Sequence, residues 1–160
     1  MDSFQLLYLF ESLEASLIGV MINDSTWLFP IIEALHLIGL AILGGSIVVG
    51  DLRLIGFTLK QHPIDYVIKQ TILGLKAGLI VMIITGIPLF LSEAIKCYYS
   101  RAFWIKMSAL VIGLAFTFLV RNPMAIKKKL DNKLNAKLIG FTSFSVWAVV
   151  AGAGRWIGFS

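Results

Sequence analysis

Charge is scarce in this 160-residue sequence: Asp, Glu, Lys and Arg together make up 14% of it, against about 25% in an average soluble domain. Acidic residues number nine and histidines two, which leaves little material for a hydrolytic or multi-ligand metal site. Cysteine occurs once, at Cys97, so no disulfide within the chain holds it together and a disulfide scaffold is excluded. No serine or cysteine stands with a base in an arrangement that suggests nucleophilic catalysis. The remainder is apolar, with 58% hydrophobic residues. A soluble domain of this length has too much surface to hide that fraction. One membrane-embedded domain spanning residues 1–160 is the expectation.

Four long apolar runs carry that expectation, at residues 27–49, 72–91, 103–120 and 138–156. Each approaches the roughly 20 residues that cross a hydrocarbon layer of ~30 Å. Backbone groups in lipid must be satisfied within their own segment, so the runs are helices. The alternation of a membrane barrel is missing. The fold class is therefore all-α, an integral membrane four-helix bundle. Ahead of it, residues 3–21 place Leu6, Leu7, Phe10, Leu13, Leu17 and Met21 near one helical face, interrupted by Glu11 and Glu14. That pattern predicts one amphipathic helix lying at the interface. Asn23-Asp24-Ser25-Thr26 supplies the turn and cap that follow. The opening Met1-Asp2-Ser3 lacks a basic n-region, so no cleavable signal peptide is expected.

The net charge of +5 is explained by topology, not by nucleic acid. Ten of the fourteen Lys and Arg residues fall in the first and third connections, including Lys127, Lys128, Lys129, Lys133 and Lys137. The positive-inside bias then places those connections in the cytoplasm and both termini outside, as a multi-pass protein of a bacterial inner membrane. Asn122-Pro123 is expected to stop the third helix, with a basic segment beyond it facing anionic lipid headgroups. Asp51 and Arg53 read as a helix-end network with Lys60 or Asp65. Small residues four apart, such as Ser46 and Gly50, Gly74 and Gly78, or Ala148 and Gly152, let helices approach closely and also suit a homo-oligomer face.

One residue stands out as a candidate for chemistry. His36 lies nine residues after Trp27, roughly 14 Å along a helix and near the bilayer midplane. Glu33 is one turn nearer the outside on the same face. An ionisable pair at this depth marks a functional site by default. A di-iron site needs the Glu-x-x-His motif twice, and a dedicated zinc or copper site needs more ligands than the spans offer. Haem b needs one histidine as axial ligand, with methionine or an open position opposite. His36 is then the metal-binding residue, and Met82 is placed at similar depth. Lys106 and Arg155 sit near the outer ends of the third and fourth helices, against the positive-inside bias, at the level of Trp27, Trp104 and Trp156. They suit either an interfacial belt or a pocket whose cations meet propionates. The other readings of Glu33 and His36 are a proton relay and a buried polar pair that pins two helices together.

The run Trp27-Leu28-Phe29-Pro30-Ile31-Ile32-Glu33-Ala34-Leu35-His36, continuing through Gly44-Gly45 to Asp51-Leu52-Arg53-Leu54-Ile55-Gly56, resembles a bacterial family of small four-span membrane proteins of unknown function. His36 with Gly44-Gly45 is also similar to the histidine and paired glycines of the copper-resistance protein D membrane domain. The spacing here is one residue shorter, and that domain's further histidines are missing. The likeness implies a redox or metal site at His36. The expected function is a haem-binding membrane protein in electron transfer or redox sensing, served by a redox partner and surrounded by membrane lipids. The alternative is a non-enzymatic transport, channel or assembly protein built on the Glu33-His36 pair.

Overall fold

The computed structural model describes residues 3–127, 130 and 132–157. Among these it is helical, with no strand. Four helices are long and apolar enough to cross a membrane: α3 (Leu28–Ile55), α4 (Ile64–Ser92), a third over Arg101–Ile126, and α8 (Lys133–Ile157). The 28 residues of α3 reach about 42 Å at 1.5 Å per residue, longer than a ~30 Å hydrocarbon layer. Each helix begins or ends beyond its apolar run, because the polar flanks at Asp65, Lys69 and Lys133 continue the same backbone hydrogen bonding. Large apolar side chains such as Ile31, Leu35, Ile38, Ile84 and Val111 remain exposed. That is the surface a lipid-facing bundle presents.

Close packing falls where the sequence offers glycine. A Cβ at Gly78 would lie 2.9 Å from Leu43 Cα, so only glycine lets α4 meet the α3 backbone there. Around that crossing Leu43, Ile47 and Leu75 are buried, with Met82, Phe118 and Trp147 packed against them. Gly140 of α8 meets Leu54 and Ile55 of α3 in the same way. Gly44, Gly45 and Gly152 have nothing within 4 Å of a Cβ position. The small-residue pairs therefore divide into those that pack this bundle and those left on its outside. The C-terminal end of α3 closes on Gly56, whose φ of 82° is left-handed, with Phe57 N–H donating to Leu52 O at 2.9 Å.

Two expectations change. The predicted single helix over residues 3–21 is two, α1 (Ser3–Glu14) and α2 (Leu17–Asn23), bent by 61°. The break occurs because Ser16 leaves the helix to cap α2, accepting from Gly19 N–H at 3.4 Å. Glu14 is only half-exposed. Its Oε2 accepts from Ile95 N–H at 2.7 Å, the first turn of α5 (Ala94–Tyr99). Phe10 is buried against Phe90 and Tyr98, with ring centroids 5.5 and 5.3 Å away. The pair thus packs on one end of the bundle, over α5. Ser25 closes the start of α3 as expected, accepting from Leu28 N–H at 3.3 Å.

The second change is at Asn122-Pro123, which does not stop the third span. The chain passes from α6 (Arg101–Ala115) through a π-helical turn at Phe116–Arg121 into α7 (Asn122–Ile126). Proline has no N–H and its ring collides with the carbonyl four residues back. Widening the preceding turn to i→i+5 bonding removes that collision and lets the helix continue. Of the basic segment that follows, Lys128, Lys129 and Asp131 lie outside the described residues, while Lys133 and Lys137 belong to α8.

Candidate functional site

His36 is half-buried on α3 and turned toward α4. Its Nδ1 lies 2.8 Å from Thr85 Oγ1. The Thr85 hydroxyl in turn donates to Val81 O, one turn back, at 2.6 Å. A hydroxyl has one proton. With that proton spent on Val81, Thr85 accepts from His36 Nδ1–H, and the lone pair of the imidazole is left on Nε2. The ring is held by the second nitrogen, as metal-ligating histidines commonly are. Gly86 lies alongside, and a Cβ there would sit 3.2 Å from His36 Cε1, so the helix surface beside the ring is cleared by glycine.

Lys106 lies toward the same end of the bundle. Its stem runs along α8, with Cε 3.6 Å and Nζ 3.8 Å from a Cβ position at Gly154. Its charge acts on the Cys97 thiol. It forms neither an ion pair nor a hydrogen bond among the described residues. Cys97 is buried in α5, beside Phe10 and Ala94. Burial, then the neighbouring Glu93 carboxylate, pushes its thiol up to about 11. An intermolecular disulfide at Cys97 would first require that this thiol be uncovered.

The other predicted site residues separate from these two. Glu33 is exposed on α3 and makes no hydrogen bond or ion pair among the described residues, so the partner of His36 is Thr85. Met82 packs into the apolar cluster of Leu43, Leu75 and Trp147. Trp104 is 43% exposed and donates its indole N–H to Tyr98 O at 3.0 Å. Trp156 is 69% exposed, and Arg155 beside it is exposed and already engaged. Lys106 points into the bundle while Arg155 and Trp156 stand at its rim. No three His, Cys, Asp or Glu side chains among the described residues converge as a metal site. An apolar cavity of about 160 Å³ lies elsewhere, between Leu40, Gly44 and Val48 of α3 and Phe144, Trp147 and Ala151 of α8.

A second polar centre, near the opposite end, was not expected from sequence. Arg121, at the end of the π-helical turn, and Asp51 of α3 are both fully buried and joined by Nε donating to Oδ1 at 2.6 Å. The same guanidinium donates to Asn122 Oδ1 at 2.9 Å and to Ile47 O at 3.1 Å. Gly50 makes room for it, since a Cβ there would collide with the guanidinium. Asp51 Oδ2 and Ser143 Oγ, facing each other, close no hydrogen bond. Asp51 therefore pairs with neither Lys60 nor Asp65. Arg53 donates to His62 O at 2.8 Å, and Asp65 meets Lys69 at 3.7 Å. The signal was present as opposite charges at equal depth on two spans that run the same way.

Fold and site together define a helical membrane protein: four membrane-length helices, a hydrogen-bonded histidine near one end and a buried ion pair near the other. The chain belongs to a family of unknown function, DUF6644, whose model covers residues 9–160. No curated protein and no solved structure gives a significant match. The likeness to the copper-resistance protein D domain gains no support from these comparisons.

Proposed function

We propose that this chain is a haem-binding protein of the bacterial inner membrane, working in electron transfer or redox sensing, with His36 Nε2 as an axial ligand. The observation that supports this reading is the chain His36 Nδ1–Thr85–Val81. It fixes the ring and leaves one nitrogen able to donate to iron. A single histidine is enough for haem and too little for a zinc or copper site. Haem supplies the one-electron chemistry when bound. The residues of the chain orient the ligand, keep the site in an apolar surround, and set its hydrogen bonding. In the orientation that positive-inside bias favours, both termini and the His36 end face outside.

The test is the absorption spectrum of protein purified with ample haem supply, oxidised and then reduced with dithionite. A Soret band that shifts on reduction and disappears in His36→Ala is the expected result. Thr85→Val, which keeps shape and removes the hydroxyl, should retain the band and weaken haem retention. A featureless wild-type spectrum, or pigment unchanged in His36→Ala, refutes the assignment. In that event the His36–Thr85 bond is a polar clasp between α3 and α4 in a transport or assembly protein. His36→Ala would then lower thermal stability in detergent with no spectral change.

A further inference from the structure

We infer that the exposed face of α4 holds an anionic phospholipid, with Lys76 on its phosphate and an acyl chain along the isoleucines that follow. Lys76 lies well inside α4 (Ile64–Ser92) and is exposed. The packing of α4 on α3 fixes its depth. Gly74 meets Ser46 and Gly78 meets Leu43, so Lys76 stands level with Gly44 and Gly45. That level is about 26 Å from the exposed Trp27 at 1.5 Å per residue, inside a hydrocarbon layer of ~30 Å that begins there. A lysine at such depth ordinarily turns into the bundle or pairs with a carboxylate. Lys76 does neither: it is exposed, and it makes no ion pair or hydrogen bond among the described residues.

Side chains of an α-helix lean toward its N-terminus. The stem of Lys76 therefore leads its ammonium toward the Ile64 end, where Arg53, Lys60 and Lys133 also lie. Snorkelling in that direction brings the charge to the headgroups. Lys69, two turns nearer that end, is 53% exposed on the same side, because seven residues return a helix to within about 20° of its starting direction. Its charge is shared with Asp65 at 3.7 Å, which leaves Lys76 as the cation for an outside anion. In the other direction the same face carries Ile80, Ile83 and Ile87, each more than half exposed. Cation and apolar strip thus follow one another as phosphate and acyl chain do in a phospholipid. A second copy does not supply the anion. A two-fold axis along the membrane normal brings equal depths together, and no described carboxylate is exposed at this depth. Asp51 is buried on Arg121, and Glu33 lies toward the opposite end, one turn before His36.

The experiment uses native mass spectrometry to count the lipid retained by delipidated protein. The probes are equal amounts of phosphatidylglycerol and phosphatidylcholine with the same acyl chains. Both carry a phosphate, and only the first carries a net negative charge. Wild type should retain one phosphatidylglycerol with a preference of about fivefold, which is what one lysine contributes near an anionic surface. Lys76→Met should lose the preference and Lys76→Arg should restore it. Lys137→Met, which removes the same charge from an exposed position of α8 at that end, should keep it. Equal retention of the two lipids by wild type, or a preference that survives in Lys76→Met, overturns the site and leaves an acidic helix of another membrane protein as the partner for this face. Equal losses in Lys76→Met and Lys137→Met trace the preference to the basic end as a whole and overturn it too. The site stands apart from His36 and is tested whichever way the haem spectrum falls.

Discussion

Removing Arg121 should damage this protein more than removing Asp51, and removing both should damage it less than removing Arg121 alone. The two are fully buried and meet at 2.6 Å. After Arg121→Met, the Asp51 carboxylate loses the Nε donor to Oδ1 and keeps only the Ser143 hydroxyl beside Oδ2. After Asp51→Ala, the guanidinium still donates to Asn122 Oδ1 and Ile47 O. Breaking a buried pair from one side costs about 3–5 kcal/mol, most of it the charge left behind. Arg121→Met belongs at the upper end and Asp51→Ala at or below the lower end. For a chain of this length the upper figure corresponds to a fall of roughly 10–20 °C in thermal midpoint. The double variant removes both charges and puts an apolar chain in the space beside Gly50, an exchange that is often close to neutral. Unfolding in mixed micelles, followed by helical circular dichroism against dodecyl sulfate fraction, gives the four free energies of the cycle. The expected coupling is larger than the cost of Asp51→Ala alone, which is what a double variant milder than Arg121→Met requires. Additive variants, or an Arg121→Met protein within about 1 kcal/mol of wild type, would show that water reaches the pair and that its burial is not what holds α3 to the third span.

Two further outcomes follow from packing. Gly78→Ala should destabilise the α3–α4 crossing by a few kcal/mol, since the new methyl meets Leu43 backbone, whereas Gly44→Ala, with open space at its Cβ position, should leave stability within about 0.5 kcal/mol; the same micelle titration ranks them. Cys97 should resist alkylation: a thiol moved from 9.0 to about 11 holds about a hundredfold less thiolate at pH 7. Maleimide labelling should therefore rise tenfold per pH unit through pH 9 and jump on unfolding, while fast labelling of the folded protein at pH 7 would show the thiol to be open.

The spans were legible because lipid imposes a length and a composition on each helix separately, and both can be counted along the chain. The N-terminal segment misled for a local reason. Leu6, Phe10, Leu13 and Leu17 continue one periodicity through Ala15-Ser16, and nothing in hydrophobic spacing reports that Ser16 caps a new helix. Pro123 misled for the opposite reason. It carries a strong stop signal, and the π-helical turn absorbs it. Within the site, facing was not legible. His36 was expected near the midplane and Lys106 and Arg155 near the outer helix ends, yet which of them turn inward depends on helix rotation, set by close approaches at Gly78, Gly113 and Gly140.

Arg121 shows how far that rotation matters. On an unbroken α-helix, each residue adds 100° about the axis, a consequence of 3.6 residues per turn. A π-helical turn takes more residues per turn, so every position after it is turned relative to the helix before it. Phe116–Arg121 is such a turn, and it ends on the one arginine that faces Asp51 and Ile47 O. Arg121 was counted among the basic residues of the third connection because the apolar run ends one residue before it, at Val120. The proline that forces the turn and the arginine that uses it are two residues apart. The buried ion pair is thus a consequence of Pro123 as much as of the two charges, whose equal depth was visible along the chain while their facing was not.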